Sequence, residues 1–339
     1  MRRPVICLAE DRSWCEPGVR LLVASLARHS PDIPVELFYP PADSAFKAWL
    51  ARFPQVSLNK FRLTEPWRGW NVKPEALLTL LAAGFDDVLW VDTDIVVARD
   101  VGGIFADLSI DTMVVAEEAL CSSHYDGDAM RARLWGLDVG RALRFQLNGG
   151  VVGVTSRHVG LVERWRDVLN SPEYLEAQKL RWDLRPRHFM ADQEVLTALL
   201  CSSEFSKIPL RYLTRGRDIV QYFGSACYTL RERATNVLRG PPVFIHSQGH
   251  KAWTPLPRPD GIKTSLLNLY QRMSPYVGEA RKYRDELPDP SWLKPSTTGD
   301  RILSGMSFGA APLAGLPIAI VNDLYRWVRW AHTGGEPRR

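Results

Sequence analysis

Short apolar runs alternate with segments whose apolar positions recur every three or four residues through the first half of this 339-residue chain. Residues 4–9 form an apolar run ending at Glu10 and Asp11, which predicts a strand. Over 17–29, Val19, Leu22, Val23 and Leu26 have helical spacing, and Pro17 suits a first helical turn. Residues 35–39 read as a second strand and 45–53 as a second helix. Pro74 opens a third helix through Leu77, Leu78 and Leu81, with Gly84 as its C-terminal cap. Residues 88–91 are continuously apolar, the pattern of a strand buried on both faces. Further strands are predicted at 113–116, 151–155 and 243–245, and helices at 156–170 and 192–200. Such alternation predicts an α/β fold, a mainly parallel sheet with helices on both faces, with ligands bound beyond the carboxyl ends of its strands.

Residues 254–261 read Thr-Pro-Leu-Pro-Arg-Pro-Asp-Gly, a proline-dense linker. The expected division is therefore a catalytic domain at 1–255 and a C-terminal helical appendage at 256–339. Residues 303–332 are apolar and aromatic. Past Leu316, Val321, Leu324 and Val328 fall on one helical face, and Asn322, Asp323, Arg326 and Arg329 on another. Tryptophan and arginine at the margins of an amphipathic helix describe a membrane-surface anchor, with peripheral contact through 309–332. A helix packed on the catalytic domain or in a dimer interface fits the pattern equally well, and the oligomeric state stays open.

Composition narrows the function classes. An apolar fraction of 45% and a charged fraction of 24% are those of an ordinary globular chain. The formal net charge of +5 comes from lysines and arginines scattered among acids, with no basic run, so a nucleic-acid partner is not expected. The five cysteines are odd in number and far apart, without a Cys-x-x-Cys pair, which suits reduced thiols and excludes a cysteine-based zinc site. The apolar run after Arg2 and Arg3 is too short for a secretory signal, and no stretch has the length of a transmembrane helix. The expected location is cytoplasmic, at the inner face of the cell membrane if the tail is an anchor.

Four segments carry candidate chemistry. Val88-Leu-Trp-Val-Asp-Thr-Asp-Ile-Val-Val97 places Asp92 and Asp94 just after a buried strand, where hard oxygen ligands suit Mg²⁺ or Mn²⁺ and, through it, phosphate. Phe145-Gln-Leu-Asn-Gly-Gly-Val-Val-Gly-Val154 reads as a turn through Asn148, Gly149 and Gly150 into a strand, with glycine where backbone must approach something closely. In Ala191-Asp-Gln-Glu-Val195, Asp192 stands at a helix start, either as a helix cap or as a site carboxylate. His246-Ser-Gln-Gly-His-Lys-Ala-Trp253 follows the last strand; Ser247 and Gly249 exclude a zinc-protease helix, whereas a strand-end histidine, a glycine and a lysine suit a metal ligand, a close backbone approach and a phosphate-binding cation.

In this order and spacing, the four segments resemble the retaining glycosyltransferases of family 8 and their GT-A-fold relatives over residues 4–253. The family pattern at the last segment is His-x-x-Gly-x-x-Lys-Pro-Trp; here one residue is missing before Lys251, and Ala252 replaces proline. The resemblance implies a GT-A (Rossmann-like) fold and transfer of a sugar from a nucleotide-diphosphate donor to a glycan or lipid-linked acceptor with retained configuration, as in bacterial surface glycan or glycolipid synthesis. It implies Mn²⁺ or Mg²⁺ on Asp92, Asp94 and His246, with a UDP-sugar as the first expected donor. Lys251 would hold the diphosphate and Gly249 would approach it. Glu10 and Asp11 would contact the nucleoside, Lys73, Asn148 and Gly149 would lie near the donor, and Asp192 would meet donor hydroxyls. Gln193 would lie beneath the anomeric carbon, and Glu117 or Glu118 would be a further carboxylate near the donor sugar. Two alternatives stand beside this reading. One is a haloacid-dehalogenase-like phosphatase with Asp92 as nucleophile and Asp94 as general acid; its later Gly-Asp-x-x-x-Asp is broken at Gly299-Asp300 by Ser304. The other is a catalytically silent nucleotide-sugar binder.

Overall fold

The computed structural model describes residues 2–59, 69–118, 129–221, 227–295, 301, 302, 305 and 310–333, except for the side chains of 262, 263, 326, 327 and 329–333. In chain order the strands are β1 (Pro4–Ala9), β2 (Val35–Phe38), β3 (Val56–Leu58), β4 (Asp87–Val91), β5 (Ile95–Val97), β6 (Met113–Glu117), β7 (Leu147–Thr155), β8 (Leu210–Leu213), β9 (Ile219–Gln221) and β10 (Phe244–His246). The chain divides into two compact units. One holds Met1–Ser13, Pro31–Thr93 and Gly102–Leu213, and the other holds Trp14–Ser30, Asp94–Val101 and Thr214–Arg339. The boundary expected near residue 255 falls inside the second unit.

The first unit is an α/β layer structure around a seven-stranded sheet of order β3-β2-β1-β4-β7-β6-β8. The pairs β3–β2, β2–β1, β1–β4 and β6–β8 are parallel, and only β7 runs against its neighbours, β4 and β6. The expected α/β class with a mainly parallel sheet and flanking helices is thus the observed one. Every residue of β4 and β7 is buried, which accounts for the apolar runs 88–91 and 149–154 within them. Lys73–Ala82 packs on β1 and β4, Asp192–Cys201 packs on β7, and both touch the helix Val159–Leu169. Cys7, Trp90, Val115, Val152, Trp165 and Leu196 belong to the core between them. Gly84 follows its helix at φ +87°, the left-handed conformation a C-terminal glycine supplies without penalty.

Two local expectations are corrected. Asn148, Gly149 and Gly150 do not form a turn before a strand; they lie inside β7. Opposite them Val115 pairs with Val152 while Ala116 pairs with Asn148, so residues 149–151 bulge from the ladder. The 156–170 segment is a 3-10 turn, Ser156–His158, followed by Val159–Leu169; Thr155 and His158 cap that turn reciprocally.

The second unit contains a three-stranded sheet of order β5-β10-β9, with the helix Glu16–His29 packed on β5. Residues 254–261, the expected linker, have no helix or strand. The helix Leu316–Thr333 packs at its start on Leu230–Arg239 and Ile262–Arg272, with Ile318 and Ala319 buried. Farther along it, Val321, Leu324, Tyr325 and Val328 are exposed. The chain just before this helix is part of the unit's interior. Buried Arg233 donates to the carbonyls of Pro312 and Ala314 at 2.8 and 2.7 Å and to the Tyr270 hydroxyl at 2.8 Å. No described helix is long and apolar enough to cross a membrane.

Candidate functional site

The parallel strands of the first unit deliver their carboxyl ends to one edge, where Asp92 follows β4. Its N–H donates to the Gly150 carbonyl at 2.8 Å, so the bulge of β7 lies alongside it. The Trp90 indole N–H donates to Asp92 Oδ1 at 2.7 Å. Lys73, at the start of its helix, is buried, and its ammonium uses three partners. These are the Gly149 carbonyl at 2.9 Å, Asp92 Oδ1 at 3.2 Å and Asp192 Oδ2 at 3.1 Å. Burial pulls the Lys73 pKa down, but the Asp192 and Asp92 carboxylates outweigh it and raise the pKa above its ordinary value. Burial pushes Asp192 upward, and the Lys73 ammonium only partly reverses this. A Cβ on Gly149 would stand 2.9 Å from Lys73 Nζ and 3.0 Å from Asp192 Oδ2. Glycine is needed there for the close approach that the sequence suggested, although the thing approached is an ion pair of the chain itself.

Asp192 is not the helix cap; Ala191 holds that place without a side-chain bond, and Asp192 is the first helical residue. The next residue, Gln193, accepts from the Gly149 N–H at 3.2 Å and donates to Glu118 Oε2 at 3.2 Å. Asn148 donates to the same Glu118 oxygen at 2.8 Å and accepts from the Gly150 N–H at 2.8 Å. Of the pair Glu117 and Glu118, it is therefore Glu118 that joins this amide cluster. Glu10 holds its own local group: Arg12 donates from two guanidinium nitrogens to its two oxygens at 2.7 and 2.8 Å, and the Thr93 hydroxyl donates at 2.8 Å. Asp11 follows it, half-buried.

Sequence reasoning missed a buried chain beside this cluster. Arg131 donates to Gln146 Oε1 at 2.8 Å, and Gln146 donates to Glu194 Oε1 at 2.8 Å. The other Glu194 oxygen is buried without a hydrogen-bond partner. Burial pushes Glu194 up to about 8; Arg131 opposes the shift, and the Asp192 and Glu118 carboxylates add to it. The only sequence signal was position: Gln146 directly precedes β7, two residues before Asn148, and Glu194 directly follows Gln193.

In the second unit, Asp94 precedes β5 and His246 ends β10, and the antiparallel register sets His246 against Ile95. The Ser247 N–H donates to the Asp94 carbonyl at 2.9 Å. His246 Nε2 stands 3.2 Å from Asp94 Oδ1, and Lys251 is ion-paired with Asp94 Oδ2. Burial alone would raise the Asp94 pKa, but Lys251 and then His246 reverse this and hold it well below the carboxylate range. His246 Nδ1 is buried and has no hydrogen-bond partner. Gly249 adopts φ +88°, a left-handed turn between His246 and Lys251.

A divalent cation fits these residues. A buried, ionised carboxylate demands positive charge, here met by an ammonium. The His246 imidazole turns Nε2 toward Asp94 Oδ1, and carboxylate with imidazole is a donor set that a borderline divalent ion accepts. Asp92 is one residue removed from Asp94 along the chain, a Cα separation of at most about 7 Å.

No family model and no curated protein matches the chain. Among solved structures, the apo form of the bifunctional glycosyltransferase WbbM is 14% identical over 75% of this chain, with a TM-score of 0.49; this chain spans 47% of its length. The galactosyltransferase LgtC in complex with donor and acceptor sugar analogues is 15% identical, covering 84% of this chain and 100% of its own, with a TM-score of 0.46. The apo form of mouse xyloside xylosyltransferase 1 is 13% identical, covering 76% of this chain and 99% of its own, with a TM-score of 0.42. Likenesses this distant carry no weight for chemistry, which has to come from the residues themselves.

Proposed function

We propose that the chain is a metal-dependent glycosyltransferase of the GT-A type that moves a sugar from a nucleotide-diphosphate donor to a glycan or lipid-linked acceptor, with retention of configuration. One observation supports it above the others: the buried Asp94 carboxylate, kept ionised by Lys251, faces the Nε2 of the buried His246 and is joined through Thr93 to Asp92.

In this reading Asp92, Asp94 and His246 would hold Mn²⁺ or Mg²⁺, which when bound would supply positive charge for a diphosphate. Lys251 turns from Asp94 to the diphosphate and adds a second cation. Glu10 and Asp11 take the nucleoside, with UDP the first candidate. Lys73 fixes the Asp192 carboxylate toward the donor's hydroxyls, and the Gly149 N–H with Glu118 fixes the Gln193 amide beneath the anomeric carbon. Gln193 is a poor nucleophile, and its oxygen already accepts from Gly149. The acceptor hydroxyl therefore attacks on the leaving-group face. Its oxygen bonds to the anomeric carbon as the bond to the diphosphate oxygen breaks, and its proton passes to that oxygen. The exposed stripe of Val321, Leu324, Tyr325 and Val328 would meet an anionic membrane surface at the cytoplasmic face, bringing a lipid-linked acceptor within range.

The phosphatase alternative needs a protonated Asp94 as general acid. An aspartate held well below its usual pKa has no proton to give at neutral pH, which counts against that reading. The test is a screen of nucleotide sugars for hydrolysis with Mn²⁺ and with chelator. Turnover of a nucleotide sugar that stops in chelator supports the proposal. Binding without turnover under every condition would leave only a silent binder, and phosphatase activity without nucleotide-sugar turnover would overturn the reading.

A further inference from the structure

Two segments of the first unit lead into the Lys73–Asp192 ion pair, and each carries an exposed tryptophan. Trp70 lies in the 3-10 turn Gly69–Val72, directly before Lys73; at about 2 Å of rise per residue its backbone is about 6 Å from that lysine. Trp182 lies in the turn Trp182–Leu184, within the segment that runs to Asp192. Their ring centroids are 6.1 Å apart at 85°, an edge-to-face pair, yet Trp70 remains 40% and Trp182 48% exposed.

Neither ring is loosely held. A hydrogen bond from Trp70 reaches the Tyr174 side chain, whose hydroxyl donates to Asn71 Oδ1 at 3.0 Å. Arg185 lies over the Trp182 ring at 5.6 Å. Its guanidinium donates to the Leu180 and Gln178 carbonyls at 3.0 Å each, to Gln178 Oε1 at 2.6 Å and to the Met190 carbonyl at 3.1 Å. Met190 is two residues before Asp192, so the bonds that position Trp182 also anchor the entry to the site helix.

We propose that Trp70 and Trp182 form a stacking platform for a sugar ring of the acceptor. This rests on the glycosyltransferase reading and adds the place where the acceptor is recognised. The C–H face of a pyranose is apolar and faintly positive, and it matches the negative face of an indole. Pinning the rings in advance removes the ordering cost that would otherwise weaken a shallow contact. An exposed aromatic pair beside a polar site suits a ligand that is apolar on its faces and hydroxylated on its rim. Leu180 and Leu184 are exposed on either side of Trp182, but the Arg181–Asp183 ion pair alternates with them along the chain and breaks up the continuous apolar surface that a lipid would need.

The experiment presents lactose, maltose, cellobiose and diacetylchitobiose, with UDP and Mn²⁺, to the full chain and reads binding by saturation-transfer NMR. The expected result is binding of at least one disaccharide, weakened about tenfold in Trp182→Ala and in Trp70→Ala, the size of a stacking contact near 1.4 kcal/mol. Trp182→Phe should recover most of it. Thermal melting of each variant checks the fold; if an alanine variant melts early, Trp182→Leu, which keeps apolar bulk without an aromatic face, carries the test and should bind about as weakly as alanine. Binding equal in all variants, no binding of any disaccharide, or loss only of adhesion to phosphatidylglycerol vesicles overturns the platform. Donor hydrolysis by the wild-type chain is read separately. Its absence, with tryptophan-dependent sugar binding intact, refutes the transferase reading while sparing the platform.

Discussion

Replacing Glu194 by glutamine should make the protein's stability far less sensitive to alkaline pH. Glu194 is 4% exposed, accepts from Gln146, and is faced by Arg131, Asp192 and Glu118. Burial, with the two neighbouring carboxylates, raises it from 4.5 to about 8 despite Arg131. Its folded-state pKa thus lies above the unfolded value, so the native state binds the proton more tightly. That contribution is complete below about 4.5 and is lost as pH rises through about 8. At about 1.36 kcal/mol per pH unit, the loss amounts to roughly 5 kcal/mol. Glutamine copies the shape of the protonated acid and cannot ionise. The stability difference between Glu194→Gln and wild type should therefore grow by several kcal/mol from pH 5 to pH 8.5, a relative rise in Tm of about 5–10 °C at about 2 °C per kcal/mol. Differential scanning fluorimetry across that range reads it. A difference that stays constant with pH would refute the inference that Glu194 is carried as a neutral acid.

Gly149→Ala should push the Lys73 ammonium from its three partners, because the new Cβ would meet Nζ at 2.9 Å. A stability loss of about 1–3 kcal/mol is expected, with a larger fall in kcat/KM for the donor than a swap of the same size on the sheet's far strands would give; unchanged donor kinetics would contradict the placement. A chain ending at Ile320 should stay folded and lose adhesion to anionic vesicles. A chain ending before Gly309 should melt early, because the Arg233 guanidinium would lose the Pro312 and Ala314 carbonyls, at a cost of about 1–3 kcal/mol or more for a charged donor. Equal melting of the two truncations would refute that role for Arg233.

What was legible in the sequence follows from the range of the causes. β1 and β4 were read to within a residue, because a strand buried on both faces is apolar over most of its length, and the helix predicted at 192–200 is found at Asp192–Cys201. Asp92 and Asp94 were visible because acids stand out at the end of such a strand. The bulge in β7 was misread as a turn, since glycine signals both and only pairing with β6 distinguishes them. β5, β8 and β9 are three or four residues long and exist through partners distant in sequence, as Ile95 with His246 shows, so no local pattern marks them. The Arg131–Gln146–Glu194 chain and the Lys73–Asp192 pair are likewise contacts between distant segments with no spacing to betray them.

The claim on which the functional reading turns is that Asp94 and His246, with Asp92 as chain neighbour, hold a divalent ion. Electron paramagnetic resonance of Mn²⁺ added to the full chain measures this directly, since bound ion loses the sharp signal of the free ion. Saturable binding of about one Mn²⁺ per chain is expected of the wild type, weakened at least about tenfold in Asp94→Asn and in His246→Ala. Asp94→Glu, which retains a carboxylate, should recover part of it. Wild-type protein that leaves the free Mn²⁺ signal untouched in the presence and absence of UDP, or variants that bind as tightly as wild type, would contradict it.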